Sequence, residues 1–105
     1  EYAFADGLPK AAGGAHGSSP KRNTPTLYYA ALQRDLFYDH RSTTLEDQVH
    51  QVMANKDELG KEATAVAKKL FADTAHRSLF AAAFGSQALG GYEVRNAIAS
   101  YVRTL

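Results

Sequence analysis

No cysteine occurs in these 105 residues. Disulfides, thiolate metal sites and a cysteine nucleophile are therefore excluded for this chain. An excess of either charge is missing too: Lys plus Arg number 12 and Asp plus Glu 11, a net charge of +1. That balance gives no reason to expect nucleic acid or an anionic membrane as partner. No apolar run approaches the length needed to cross a bilayer, so membrane insertion is not expected. The start, EYAFADGLPK, has no basic segment leading into an apolar one, so no signal peptide is expected in it. The first residue is not Met, and the chain reads as a processed product or an excised piece. No stretch alternates polar and apolar residues for long, which argues against a sheet.

What is present fits one small domain, residues 1–105, able to bury a modest core. Residues 1–25 read as loop: Gly7, Pro9, Gly13, Gly14, Gly17 and Pro20 stand there with Ser18 and Ser19. A loop of that length is uncommon unless it is functional, mobile or wrapped around something. Residues 26–105 read as helical. Pro25 suits the first turn of a short helix over Thr26 to Leu32. Thr43 with Glu46, or Thr44 with Asp47, fits a capping box. Leu45, Val49, Val52 and Met53 then form one stripe, and Asn55 can end the helix in a left-handed cap. Ala63, Val66, Ala67, Leu70 and Phe71 form a second stripe. Asp73 or Thr74 caps a third helix with Leu79, Phe80, Ala83 and Phe84 inward, stopped by Gly85. After Gly90 and Gly91, Val94, Ala97, Ile98, Tyr101, Val102 and Leu105 recur at helical spacing. The fold class expected is all-α.

Four short motifs stand in order between Arg22 and Gly60: RNTPTL, FYDHR, LEDQ and DELG. They resemble the pattern R-N-x-P-[ST]-L, F-W-D-G-R, L-E-x-Q, E-[ML]-G of the bacterial di-haem cytochrome c peroxidases and their relatives that mature methylamine dehydrogenase. The likeness continues in AHRSLFAAAFG and VRNAIASYVRTL and covers the chain from Ala3 to Leu105. It implies most of a cytochrome-c-like haem domain with a long irregular N-terminal loop. Covalent haem c needs C-x-x-C-H, which this chain lacks. The segment is therefore expected to lie between the two haem-attachment motifs of a longer protein carrying two haem c groups, with calcium as a further candidate.

The resemblance also implies roles. His16, among glycines, is similar to the displaceable distal ligand of the peroxide-reacting haem iron. Glu58 and Gln48 are similar to the active-site acid/base and its amide partner. A carboxylate can carry the proton that moves between the oxygens of hydrogen peroxide, and an amide can hold peroxide without competing for that proton. Tyr38 stands where the family has a tryptophan on the electron path, and His40 where it has glycine. Arg22 could meet haem propionates, and Asp39 with Arg41 reads first as a structural ion pair. Without the likeness, His16 is an exposed loop residue, Gln48 an exposed helix residue, Glu58 a cap for the next helix, and Phe37 with Tyr38 core packing. His50 and His76 carry no metal-binding spacing, and Asn55 to Glu58 is not a calcium loop.

The function expected is that of a periplasmic di-haem peroxidase, which reduces hydrogen peroxide to water with electrons from a small donor such as a cytochrome. On its own, the chain is expected to be inactive, and its loop from Gly7 to Pro20 mobile. The alternative is a haem-free helical interaction module that retains only the scaffold.

Overall fold

The computed structural model describes residues 4–11, 13–17, 20–85 and 89–105. Ser18 and Ser19 of the loop, and Ala3 at the start of the family likeness, lie outside them. Four α-helices follow a mostly irregular first part: α1 Leu45–Ala54, α2 Ala63–Ala72, α3 Thr74–Phe84 and α4 Gly91–Val102. There is no strand among the described residues; one isolated bridge pairs Leu36 with Ser42. The fold is all-α, as the periodicities require.

The helix ends follow local chemistry. Thr44, extended at φ −130, accepts the Asp47 N–H on its side chain and opens α1. Glu46 and Asp47 then face the positive end of the helix dipole. Asp73 accepts the His76 N–H and opens α3. Gly85, at φ 66, closes α3 in the left-handed region where glycine has no steric penalty.

Two expected features differ. The short helix expected over Thr26 to Leu32 shrinks to a single 3-10 turn, Ala30–Leu32, because the Tyr28 N–H is taken by the Thr26 hydroxyl and Tyr29 turns left-handed at φ 57. Asn55 does not end α1 in a left-handed cap. It is extended (φ −64, ψ 121), and its side-chain oxygen accepts the Asp57 N–H instead. The left-handed residue of that turn is Gly60.

The core is built on α4, which packs against α1 and α2, while α3 packs on α2. One cluster joins Ala30, Leu36, Leu45, Ala99 and Val102. A second joins Met53, Ala63, Ala67 and Val94. Val49 packs against both, making α1 their common wall. Alanines at four of these nine buried positions let the backbones approach closely. An ion pair, Arg103 to Glu46 at 2.6 Å, ties the end of α4 to the start of α1. The expected inward face of α3 is only partly right: Phe80 packs inward, but Leu79 is 69% exposed and Phe84 lies near the surface. On α4, Tyr101 faces solvent while Ala99, off the expected stripe, is fully buried.

Among the described residues, the following contacts help tie down the irregular N-terminal part. Asp6 accepts hydrogen bonds from the Leu8 N–H and from the Thr24 hydroxyl, the latter at 2.8 Å. Phe4 meets Tyr28 edge-on at 5.0 Å. The Ala15 N–H donates to the Glu58 carbonyl at 2.7 Å.

Candidate active site

The turn after α1 is organised by Asn55. Its carbonyl accepts the Glu58 N–H at 3.0 Å and the Gly60 N–H at 2.8 Å, and its side chain accepts the Asp57 N–H at 3.0 Å. This fixes Glu58 at the top of the helix rather than as a cap of the next one; Glu62 holds the N-cap position of α2. A neighbouring turn runs from Leu36 to Ser42 and closes on the Leu36 N–H to Ser42 carbonyl bond at 2.7 Å. Inside it Phe37 (φ 65) and His40 (φ 57) are both left-handed. Such a conformation costs a side-chain-bearing residue about 1–2 kcal/mol. It explains why glycine suits the place of His40 in the motif F-W-D-G-R. The Arg41 guanidinium, 3.5 Å from the Phe37 ring centre, and its two-oxygen grip on Asp39 hold the turn in this state. The Asp39–Arg41 knot is half-exposed, not buried.

These turns, with α1, α4 and residues 20–25, enclose a cleft of about 770 Å³. That is within the range of roughly 300–1,000 Å³ usual for cofactor and ligand sites. Its walls are mainly apolar, with Leu27, Phe37, Val49, Val52 and Met53 among them, and Lys21, Arg22 and Arg41 bring positive charge to it. Arg22, Tyr38, Gln48 and Glu58 all line this cleft. His16 does not. It is exposed, with its ring against Gly60: a Cβ built at Gly60 would stand 3.1 Å from His16 Nε2.

Glu58 is half-buried, and its Oε2 is buried without a hydrogen-bond partner among the described residues. Burial raises its pKa above the ordinary 4.5, with the Asp57 charge adding a little; the Arg41 charge and the Asn55 side chain oppose this without cancelling it. The cleft thus holds a carboxylate that is readier than usual to take up a proton. Tyr38 is 55% exposed. Its hydroxyl donates to Asn23 Oδ1 at 2.9 Å, and the Arg22 guanidinium lies 5.7 Å from its ring centre. An amide oxygen accepts that hydrogen bond but is not a base, so oxidation of Tyr38 must send its proton elsewhere.

The other carboxylates shift the opposite way. Asp47 is held below the ordinary 3.8 by hydrogen bonds from the Ser42 hydroxyl and the Gln51 amide. Glu46 is lowered by Arg103, and Asp73 by His76. A depressed folded-state pKa contributes stability above the unfolded value, and that stability is lost as pH falls through the folded value. Helix content followed by circular dichroism should hold to about pH 5 and decline below about pH 4. Greater thermal stability at pH 3 than at pH 6 would contradict this account.

Residues with no role assigned from the sequence complete the site: Asn23, a position of the RNTPTL motif, which holds Tyr38; Asn55, which builds the Glu58 turn; and Gly14 with Ala15, which pack against it. Asn55-x-Asp57 carries a local turn signal. The contact of Gly14 with a turn more than forty positions on has none. His50 is half-buried on α1, and His76 is exposed beside Asp73. Among the described residues no three His, Asp or Glu side chains group as a metal site, and no helix is long and apolar enough to cross a membrane.

Comparison with known proteins bears on this cleft. The family described as di-haem cytochrome c peroxidase matches residues 1–105. The methylamine utilization protein MauG of Methylophilus methylotrophus is 32% identical over 91 residues, covering 87% of this chain and 27% of that protein. The MauG of Methylorubrum extorquens is 33% identical over 106 residues, 97% of this chain and 29% of its own. That of Paracoccus denitrificans is 37% identical over 110 residues, 88% and 28% respectively. The chain thus spans less than a third of the length of these relatives. Matched along its whole length, the chain belongs to the di-haem cytochrome c peroxidase family.

Proposed function

We propose that this chain is the part of a periplasmic di-haem peroxidase that supplies the acid/base side of the peroxide site. The whole protein would reduce hydrogen peroxide to water, taking two electrons and two protons, with the electrons drawn from a small donor protein such as a cytochrome. The observation that carries the reading is Glu58 Oε2, buried without a hydrogen-bond partner among the described residues, at a mainly apolar cleft. A lone buried acceptor of this kind calls for a donor that the described residues do not provide.

A haem fits the residues present. The cleft is large enough, its walls are mainly apolar, and Arg22, Lys21 and Arg41 could meet propionates. Haem, when bound, supplies the iron and electrons for breaking the peroxide bond. This chain's own groups handle the proton. Glu58 takes it from one peroxide oxygen and returns it to the other, which its raised pKa favours. Gln48, on α1 in the same cleft, holds the peroxide through its amide. Tyr38 lies on the electron route. His16 is the displaceable iron ligand, and to serve as one its ring must turn from Gly60 toward the cleft. A second reading follows the maturation branch of the family: the whole protein would oxidise a protein substrate, and the relatives' names set them in methylamine utilization.

The gene on both sides of this segment tests the proposal. A C-x-x-C-H upstream of Glu1 and another downstream of Leu105 are expected, and the full-length product should carry haem c and turn over peroxide. Flanks without either motif would remove covalent haem and leave the interaction-module alternative. Flanks with both motifs but no peroxide turnover would favour the protein-substrate reading.

A further inference from the structure

Gly14 is fitted to the turn that carries Glu58. A Cβ built at Gly14 would lie 2.0 Å from the Asp57 carbonyl oxygen and 2.8 Å from that of Glu58. No side chain can occupy that space without moving the turn. The next residue adds a directional contact, since the Ala15 N–H donates to the Glu58 carbonyl at 2.7 Å. From the other side Asn55 accepts the Glu58 N–H. Both peptide groups of Glu58 are therefore fixed, one by Asn55 and one by the N-terminal loop, while its carboxyl carries an oxygen with no hydrogen-bond partner among the described residues.

We propose that Gly14 is a positioning residue for Glu58: the absence of its side chain lets the Ala15 N–H hold the Glu58 main chain, and so aims the carboxyl into the cleft. The inference rests on the acid/base reading of Glu58. A displacement of about 1 Å in a catalytic group can lower turnover about a hundredfold. The step affected is proton transfer rather than peroxide binding, so kcat should fall and KM should stay.

The test uses the full-length haem-loaded protein. Gly14→Ala should lower kcat for hydrogen peroxide by roughly ten- to a hundredfold, with KM within about twofold of the parent. Gly85→Ala, strained at φ 66 but with open space around its Cβ, is the comparison for a simple loss of stability and should leave kcat unchanged. If Gly14→Ala does not fold, replacing the Ala15 peptide N–H by an ester oxygen removes the hydrogen bond without adding bulk, and the same fall in kcat is expected. Glu58→Gln separates the two levels. If it abolishes turnover while Gly14→Ala and the ester both keep parental kcat, the positioning role is overturned and the acid/base reading stands. If Glu58→Gln turns over normally, the acid/base reading fails, and the positioning role with it.

Discussion

Glu58→Gln in the full-length protein is expected to lower peroxide turnover by about 10²–10⁴-fold, the usual contribution of a general acid/base. The same substitution should make the protein more stable at neutral pH. The two effects share one cause. Burial at the cleft makes the carboxylate a better proton acceptor and also makes its ionised form costly to the fold. A folded-state pKa raised above 4.5 gives stability that is full below the unfolded value and lost as pH rises through the folded one. Above the folded-state value that stability is gone. The glutamine variant would keep the shape without the charge, so its advantage over the parent should shrink as pH falls toward 4.5. Thermal unfolding of both proteins at pH 7 and pH 5 reads this directly. A variant less stable than the parent at pH 7 would show that the ionised carboxylate is satisfied after all. Undiminished turnover would take the proton shuttle away from Glu58.

Met53→Ala is expected to have the largest effect on the fold, a loss of about 2–5 kcal/mol. A domain this size has roughly 5–15 kcal/mol in total, so the change removes a large part of it. Met53 is 5% exposed and belongs to the second core cluster with Ala63, Ala67 and Val94. Its buried neighbours are small, and the larger Leu70, Phe80 and Leu89 pack against the cluster from its partly buried edge. Met53 also lines the cleft, and its carbonyl accepts the Lys61 N–H at 2.7 Å, closing the turn that carries Glu58. The lost side chain should therefore loosen both core and site. Met53→Leu keeps most of the volume and should cost less than about 1.5 kcal/mol. Denaturant unfolding of the two variants checks the contrast, and equal midpoints would mean that the cluster collapses around the gap.

The elements read most easily from the sequence were those fixed by local chemistry. Thr44, Asp73 and Gly85 mark helix ends because capping depends on residues within one turn. The failures came where a side chain competed with the backbone. Thr26 took the Tyr28 N–H, and the first segment lost most of its helix; Asn55 turned its side chain to Asp57, and α1 formed without its left-handed cap. Facing was harder than placement. Ala99 looks unimportant in a list of apolar spacings, yet it is fully buried, because only a small residue fits where α4 crosses its neighbours. In the site, the motifs named four residues that the fold brings to one cleft: Arg22, Tyr38, Gln48 and Glu58. They did not place His16, and they could not show Gly14 against Asp57, because that contact exists only once the loop has crossed the end of α1.

Helix α3 has no buried residue and packs on α2 alone among the larger helix contacts. Among the described residues its attachment is a hinge of one residue, Asp73, the inward contact of Phe80 and the Arg77 guanidinium over the Phe71 ring of α2. A helix held so lightly can open while the two core clusters stay shut, which places it at the low end of the protein's opening energies. Sequence change should accumulate there with little penalty, and a protease should find its first foothold there. The cleft shares no lining residue with α3, and the two meet only through the core cluster that holds Met53.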